Sequence, residues 1–223
     1  AIDTVGFTQG ITLTGSQGGT ISVTNGNLNV NKTVQTSASS APLTLSAAGN
    51  SLTVADSANV TTNNGALTIT AANLTTTGTT SIASGTGSLT LTADTMSFSP
   101  TTSVTGTSGL TVQPYSASGN IALGGGTGSG LNLARDLFTL TEGTPVFNGA
   151  FSSYTIGRVN GSGTLTIDGT VSFAAPLTLR SPSGGTVLLA ATGNLDNTTT
   201  NKNITIQAAT FKTASNVDVP ESL

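Results

Sequence analysis

The sequence predicts an all-β fold, a right-handed parallel β-helix solenoid with about three short strands in each coil of 21–24 residues. A short apolar–polar–apolar triplet recurs along the chain, and its first residues lie 22, 24, 22, 21 and 21 positions apart. This period is too long for a hairpin meander and too short for a strand–helix–strand unit, so it favours a solenoid. The triplets are Ile21–Val23, Leu43–Leu45, Leu67–Ile69, Leu89–Leu91, Leu110–Val112 and Leu131–Leu133, and the register extends to Tyr154–Ile156 and Leu177–Leu179.

Composition supports a folded β-rich chain. Apolar residues make up 35% of the 223 positions and charged residues 7%, both below the values of ordinary globular domains. Thr, Ser, Gly and Asn fill the difference. A disordered chain can share this composition but lacks hydrophobic periodicity, which here runs through nearly the whole length.

One coil can be read from residues 43–66. Leu43 and Leu45 share one side of a strand, while Thr44 and Ser46 share the other. Gly and Asn then permit a bend, and further apolar points follow at 52–54 and at 60. The crossover rule for parallel strands favours the right-handed form. The alternative is an antiparallel sandwich or barrel, whose hairpin loops the two Asn-Gly pairs at 25–26 and 64–65 would suit.

The amino-acid composition of the chain changes near residue 135. We expect residues 1–134 to form regular Thr-rich coils and residues 135–223 to continue the same solenoid with more charged and aromatic residues. Leu133, Leu137 and Leu140 fall at helical spacing before Gly143. The pattern therefore predicts a short helical or irregular excursion near 134–142 within a single structural unit.

Residues 136–181 resemble a recurring segment of filamentous-haemagglutinin-like proteins. The resemblance lies in a Leu-rich opening, then YTIGR (154–158), GSGTLTI (161–167) and F…LTLR (173–180), and in the earlier LTLSA, LTITA and LTLTA coils. These proteins are large secreted bacterial adhesins, exported by two-partner secretion or as autotransporter-type passengers. The resemblance implies a shaft segment of a larger protein, located outside the cell or on the bacterial surface.

Charge and hydropathy exclude several classes of partner. The six cations are dispersed and the net charge is −3, so no basic face suited to nucleic acid can form. Apolar runs are too short for a membrane-spanning helix, and no secretory signal is visible at the start. A chain that begins without Met is expected to be a processed protein or an excised piece.

Catalytic and metal chemistry find little support in the sequence. His and Cys are both absent, which removes the common nucleophilic triads and zinc sites. We therefore predict no enzyme activity and no cofactor, metal or catalytic residue. The charged residues that remain as a possible glycan-binding or polysaccharide-degrading set are Arg135, Asp136, Glu142, Arg158, Asp168 and Arg180.

A column of outward threonines is the second candidate surface. In the shared register Thr44, Thr68, Thr90 and Thr111 should stack at roughly 4.8 Å intervals. Such a ladder could bind ice or a repetitive glycan, although Thr–Thr neighbours also stabilise adjacent strands without any ligand. The ladder is expected to end at Asn132.

The favoured function is a structural shaft or adhesive segment of a bacterial fibre or adhesin. End-to-end self-association is one expected interaction, since an uncapped solenoid end offers unpaired strand groups. Binding to a host or cell-surface glycan or protein receptor is the other. The alternatives are a glycan-directed module or enzyme that uses residues 135–180 and, less favoured, ice binding by the Thr ladder.

Overall fold

A computed structural model describes residues 2–3, 9–125, 130–138, 144–196 and 202–214. The predicted all-β parallel β-helix is confirmed: every pair of strands in the described part runs parallel and stacks as a solenoid of about eight coils. The one helical segment there is a single 3₁₀ turn at Arg135–Leu137.

Most of the described strands have two to five residues, and four have 10–13. In chain order they are β1 (Ile2–Asp3), β2 (Ile11–Leu13), β3 (Gly19–Ser22), β4 (Leu28–Val30), β5 (Val34–Thr36), β6 (Leu43–Val54), β7 (Asn59–Thr61), β8 (Leu67–Thr76), β9 (Ser81–Ala83), β10 (Leu89–Thr92), β11 (Thr95–Ser97), β12 (Ser103–Thr105), β13 (Gly109–Gln113), β14 (Ile121–Gly124), β15 (Leu131–Ala134), β16 (Ser153–Gly157), β17 (Thr164–Ile167), β18 (Thr170–Ser172), β19 (Leu177–Leu189), β20 (Asn194–Asp196) and β21 (Ile204–Thr213).

Each coil contributes to three faces. Face A stacks β3, the first half of β6, the first half of β8, β10, β13, β16, and the first halves of β19 and β21. Face B holds β1, β4, the second halves of β6 and β8, β11, β15, β14, β17, and the second halves of β19 and β21. Face C holds β2, β5, β7, β9 and β12, with β18 and β20 paired further along.

The interior is a set of apolar columns. On face A the residues that point inward repeat at every second position, so Leu43, Leu67 and Leu89 form one column and Leu45, Ile69 and Leu91 the next. All six side chains are fully buried. Each such side chain stabilises the fold by about 1.5–3 kcal/mol relative to exposure, so a coil is stable only with neighbours on both sides.

Asn and Asp side chains tie successive coils together at the bends. In each case a side-chain oxygen on one coil accepts a hydrogen bond from a backbone N–H on a later coil, which satisfies a donor that the strand ladders leave free. The pairs, each given from Oδ1 to N, are Asn27–Ser51 (3.1 Å), Asp56–Thr79 (2.7 Å), Asn59–Ser81 (3.0 Å), Asn64–Thr86 (3.0 Å), Asp94–Ser116 (2.8 Å) and Asn120–Thr164 (2.9 Å).

The Asn64–Gly65 pair is one of these bends and not a hairpin. Asn64 has a φ of 66°, and its side chain accepts from the next coil. A Cβ on Gly65 would overlap the carbonyl oxygen of Ala41, so only glycine allows the two coils to approach here. The antiparallel sandwich that this dipeptide left open is therefore wrong.

Two of the predicted strand pairings are also wrong. Leu43 pairs with Gly19 and Leu45 with Ile21, so the first coil is shifted by two residues. Leu131 does not follow Leu110 on face A, because Leu110 pairs with Tyr154 instead. The triplet at 131–133 has the pattern and spacing of a face A strand, yet it lies on face B beside β14.

The chain therefore makes an insertion within its fifth coil. After β13 it forms β14 on face B, doubles back to β15 on the same face, and makes the 3₁₀ turn at 135–137. Phe147 then bridges to Val104 and restores face C. The predicted excursion near 134–142 is found at its first residues, while 139–143 lie outside the described residues.

Aromatic side chains fill the interior at the insertion. Phe138 lies at the centre, with its ring centroid 5.0 Å from that of Phe147, 4.9 Å from Phe173 and 6.2 Å from Tyr154. Phe98 contacts Phe147 edge-on at 5.6 Å. Burial raises the pKa of Tyr154. These rings replace the stacked aliphatic columns where the regular coil is lost.

A buried polar column yields the first prediction. Thr62 Oγ1 donates to the Gly65 carbonyl at 2.6 Å, but the stacked Ser84 Oγ is fully buried and finds no partner in the described part of the chain. An unsatisfied buried hydroxyl costs about 1–3 kcal/mol. We expect Ser84→Ala to raise the free energy of unfolding by about 1 kcal/mol and Thr62→Val to lower it by about 1 kcal/mol. Urea unfolding of both variants measures this, and a destabilised Ser84→Ala variant would contradict it.

Candidate functional site

The ladder of face B is interrupted between two strands. Among the described strands, β11 pairs only with β8, and β15 pairs only with β14. The two strands are close neighbours, yet no ladder joins them, whereas face A is continuous from β3 to β21. The insertion therefore leaves a gap in the strand ladder of face B at this point.

A cavity of about 260 Å³ lies beside this interruption. Its walls come from the residues that follow β11, from the end of β15 with the 3₁₀ turn, and from the segment that leads back to face C. They are Phe98, Pro100, Ala134, Asp136, Leu137, Thr144 and Val146. The described lining residues form a mostly apolar wall with one carboxylate, which is typical of a small-molecule site, and the cavity is slightly smaller than the usual range of about 300–1,000 Å³.

Asp136 carries the charge at this cavity. Its Oδ1 lies 3.5 Å from Nε of Arg135, and the two side chains are 66% and 51% exposed. An ion pair this exposed contributes little to stability. The carboxylate is thus available to accept hydrogen bonds from a ligand in the cavity.

The other charged residues of the predicted set do not join Asp136. Arg158 lies where coils meet and donates from Nη1 to the carbonyl oxygens of Pro114, at 3.1 Å, and of Tyr115. Its Nε donates to Asn160 Oδ1 at 3.0 Å. This guanidinium binds the long bend that precedes β14 to the bend after β16, which is a structural role.

Asp168 and Arg180 also have separate partners. Asp168 accepts a hydrogen bond from the hydroxyl of Thr192. Arg180 donates from Nε to Gln207 Oε1 at 2.8 Å on the outer side of face A. Neither residue lines the cavity, and Glu142 lies outside the described residues. The structure therefore does not bring the predicted set together around one site.

The threonine column is longer than the sequence pattern indicated. Thr44, Thr68, Thr90 and Thr111 stack in register on the outer side of face A. Because the next face A strand after β13 is β16, Asn132 does not belong to the column. It continues instead through Thr155, Thr178 and Thr205, and begins one coil earlier at Thr20.

The column beside it is irregular. Ser22, Ser46, Thr70 and Thr92 are followed by Gln113, and then by Gly157, Arg180 and Gln207. Thr92 is buried, and Gln113 Nε2 donates to its Oγ1 at 3.0 Å. Face A therefore presents one regular row of hydroxyls and methyls, and not a flat two-row lattice.

Within the described residues, no three His, Cys, Asp or Glu side chains lie close enough together to hold a metal ion. No helix in that part of the chain has the length and hydropathy to cross a membrane.

Comparison with known proteins does not assign this chain to a family. No protein-family model, curated protein or solved structure matches this chain. The likeness to filamentous-haemagglutinin-like adhesins therefore stays a prediction from the sequence.

Arg158 and Arg180 can be compared by the same substitution, because one holds two bends and the other lies on the surface. We expect Arg158→Met to lower the free energy of unfolding by about 2 kcal/mol, because it removes charged hydrogen bonds that hold two bends. Arg180→Met should cost less than about 0.5 kcal/mol, since its bond to Gln207 is exposed. Thermal unfolding of both variants measures the difference. Equal losses would mean that Arg158 does not hold the bends.

Proposed function

We propose that this chain is a structural shaft or adhesive segment of a secreted or cell-surface bacterial fibre or adhesin. The observation that carries the proposal is the unbroken face A ladder from β3 to β21, which continues even where face B is interrupted. A solenoid wall of this kind transmits force along hydrogen bonds that all run parallel to its axis.

The length of such a shaft depends only on its number of coils. Eight coils at about 4.8 Å each give a rod of roughly 40 Å. Because each coil contacts mainly its neighbours, coils can be added or removed without a change in the packing of the others. That property suits a segment whose task is to hold binding regions at a distance.

The surface is consistent with this role. The outward residues are chiefly Thr, Ser and Asn, and charges are sparse over the regular coils. Continuous strand pairing leaves few backbone segments extended and free for a protease to bind. The location outside the cell comes from the family resemblance described above, and it belongs to the proposal.

Variants with fewer or more coils test the proposal that the chain is a shaft. The chain has no Cys, so Thr20→Cys and Thr155→Cys place spin labels uniquely on one column of face A. Five strand spacings predict a separation of roughly 24 Å. Deletion of residues 43–88, two whole coils, should shorten it by about 10 Å, and duplication of the same residues should lengthen it by about 10 Å.

Deletion of 67–77 is the control, because half a coil destroys the register of every later strand. It should abolish a single well-defined distance. If the whole-coil variants also lose their structure, or if the distance does not change in steps, the length of the molecule is not set by coil number and the shaft proposal fails.

A glycan-binding role for the cavity beside β15 is the second candidate. It is favoured by the coincidence of the cavity with the break between β11 and β15. Phe98 and Pro100 supply apolar surface for the C–H face of a sugar ring, and the Asp136 carboxylate can accept hydrogen bonds from hydroxyls. Glycoside hydrolysis uses a second carboxylate, and among the described lining residues Asp136 is the only one.

Saturation-transfer NMR with a panel of neutral and amino monosaccharides tests this candidate. We expect binding in the millimolar range, weakened about tenfold by Asp136→Asn, because a hydrogen bond to a charged group contributes about 1.5 kcal/mol. Arg180→Met, which lies away from the cavity, should bind as the unaltered chain does. Identical binding by Asp136→Asn would exclude this cavity as the glycan site.

A further inference from the structure

One outward column of face A consists of a single residue type. Every strand of that face places a threonine at the same outward position, through the regular coils and past the insertion. The column is Thr20, Thr44, Thr68, Thr90, Thr111, Thr155, Thr178 and Thr205. Its seven strand spacings give a row roughly 34 Å long.

The outward columns of the other two faces provide a comparison within the same molecule. On face C the column reads Thr12, Gln35, Thr61, Ala83 and Thr105. On face B it reads Asn29, Thr53, Thr75 and Ser97 and, past the gap in the ladder, Asn132, Ala122, Thr166, Leu188 and Lys212. If strand preference or contact between neighbouring strands alone selected threonine, all three faces would use it equally. The uniform column of face A therefore has a further cause.

The fold does not use the hydroxyls of this column. Outward side chains elsewhere bond along their own columns: Thr95 Oγ1 donates to Asn73 Oδ1 at 2.7 Å on face B, and Gln35 Nε2 donates to Thr12 Oγ1 at 3.1 Å on face C. Within the described part of the chain, no hydrogen bond joins a hydroxyl of the face A threonine column to another protein group. These hydroxyls are therefore left to water or to a ligand.

The column stands on a smooth surface with little charge. The first six strands of face A, from β3 to β16, contain no charged residue. By alternation, the residue two places before each threonine lies beside it on the same outward side. In seven of the eight coils that residue is small, namely Gly18, Pro42, Ala66, Ser88, Gly109, Ser153 and Pro176. Over the first four coils the residue two places after each threonine is Ser or Thr, so the row is not overshadowed by longer side chains there.

A ligand that uses every position of this column must itself repeat at the strand spacing. The column offers neither the aromatic anchors of a protein interface nor the pocket of a small-molecule site. The surface of ice has rows of water molecules at an interval close to the strand spacing. Those water molecules donate to and accept from hydroxyls, and the hollows between them accommodate methyl groups. Each threonine supplies one hydroxyl, which both donates and accepts, and one methyl.

We propose that the outer side of face A binds the surface of ice through its threonine column. Bound copies hold back the ice front between them, so a crystal stops growing over a range of temperatures below its melting point. This inference goes beyond the shaft proposal and is independent of it, because it rests on the outward side chains of face A and not on the strand ladder.

Thermal hysteresis, the gap between the melting and freezing temperatures of a single ice crystal, measures this binding for the full chain. We expect a gap that widens with protein concentration. Thr68→Tyr should remove most of it, because the ring rises above the middle of the row while tyrosine keeps a high preference for strands. Thr75→Tyr is the matched control. Thr75 is on the same strand β8 and is also half-buried, but it points outward on face B, so the gap should not change.

A second pair of variants tests the column as the structure defines it. Thr155→Tyr should also remove most of the gap, because β16 follows β13 on face A. Asn132→Tyr should leave the gap unchanged, since Asn132 lies on face B although its spacing in the sequence matches the column. Circular dichroism checks that each variant retains its β-structure.

Several outcomes overturn the proposal. A chain that shows no thermal hysteresis and is excluded from a slowly growing ice crystal does not bind ice. Equal effects of Thr68→Tyr and Thr75→Tyr, or full activity in both Thr68→Tyr and Thr155→Tyr, would exclude the threonine column as the binding surface. Binding to crystalline cellulose or chitin that Thr68→Tyr abolishes, without thermal hysteresis, would assign the column to a repetitive polysaccharide instead.

Discussion

Parallel strand pairing between successive coils is the interaction on which the rest of this structure depends. Each coil must return to the same three lines so that its strands meet those of the previous coil at a fixed spacing. This requirement forces Leu, Ile and Val into inward columns and places Asn and Asp at bends, where they bond to the next coil. The buried apolar residues and the Asn and Asp residues at the bends therefore recur with the same spacing, because strand pairing imposes that spacing on both.

The insertion in the fifth coil shows how far that requirement can be relaxed. Face A keeps its ladder through the insertion because β13 pairs directly with β16. The extra strand is confined to face B, and a cluster of six aromatic rings that includes Phe138 fills the interior beside it. One continuous face is sufficient to keep the coils in register, so another face is free to open a cavity. This arrangement separates the structural wall from the place where chemistry can vary.

The sequence predicts the fold well and the candidate site poorly, for a physical reason. A stacked solenoid repeats the same local environment, so alternation in residues 43–92 is sufficient to assign strands, inward faces and register. The triplet Leu131–Leu133 has the same alternation and nearly the same spacing, yet it lies on another face. Only pairing between distant strands distinguishes the two positions, and a local pattern does not record it.

The separation of the charged residues in space has the same origin. Arg158, Asp168 and Arg180 are close in sequence to Asp136, but a coil distributes neighbouring residues over three faces. Phe98, which lines the same cavity as Asp136, belongs to the previous coil. In a solenoid, therefore, residues that follow corresponding strands of successive coils are better candidates for a shared site than residues within one stretch. The same reasoning identifies the signal that was available in the sequence. The crowding of aromatics after residue 134, together with the lone Phe98 in the coil before, marks the place where regular stacking is replaced and a binding surface can form.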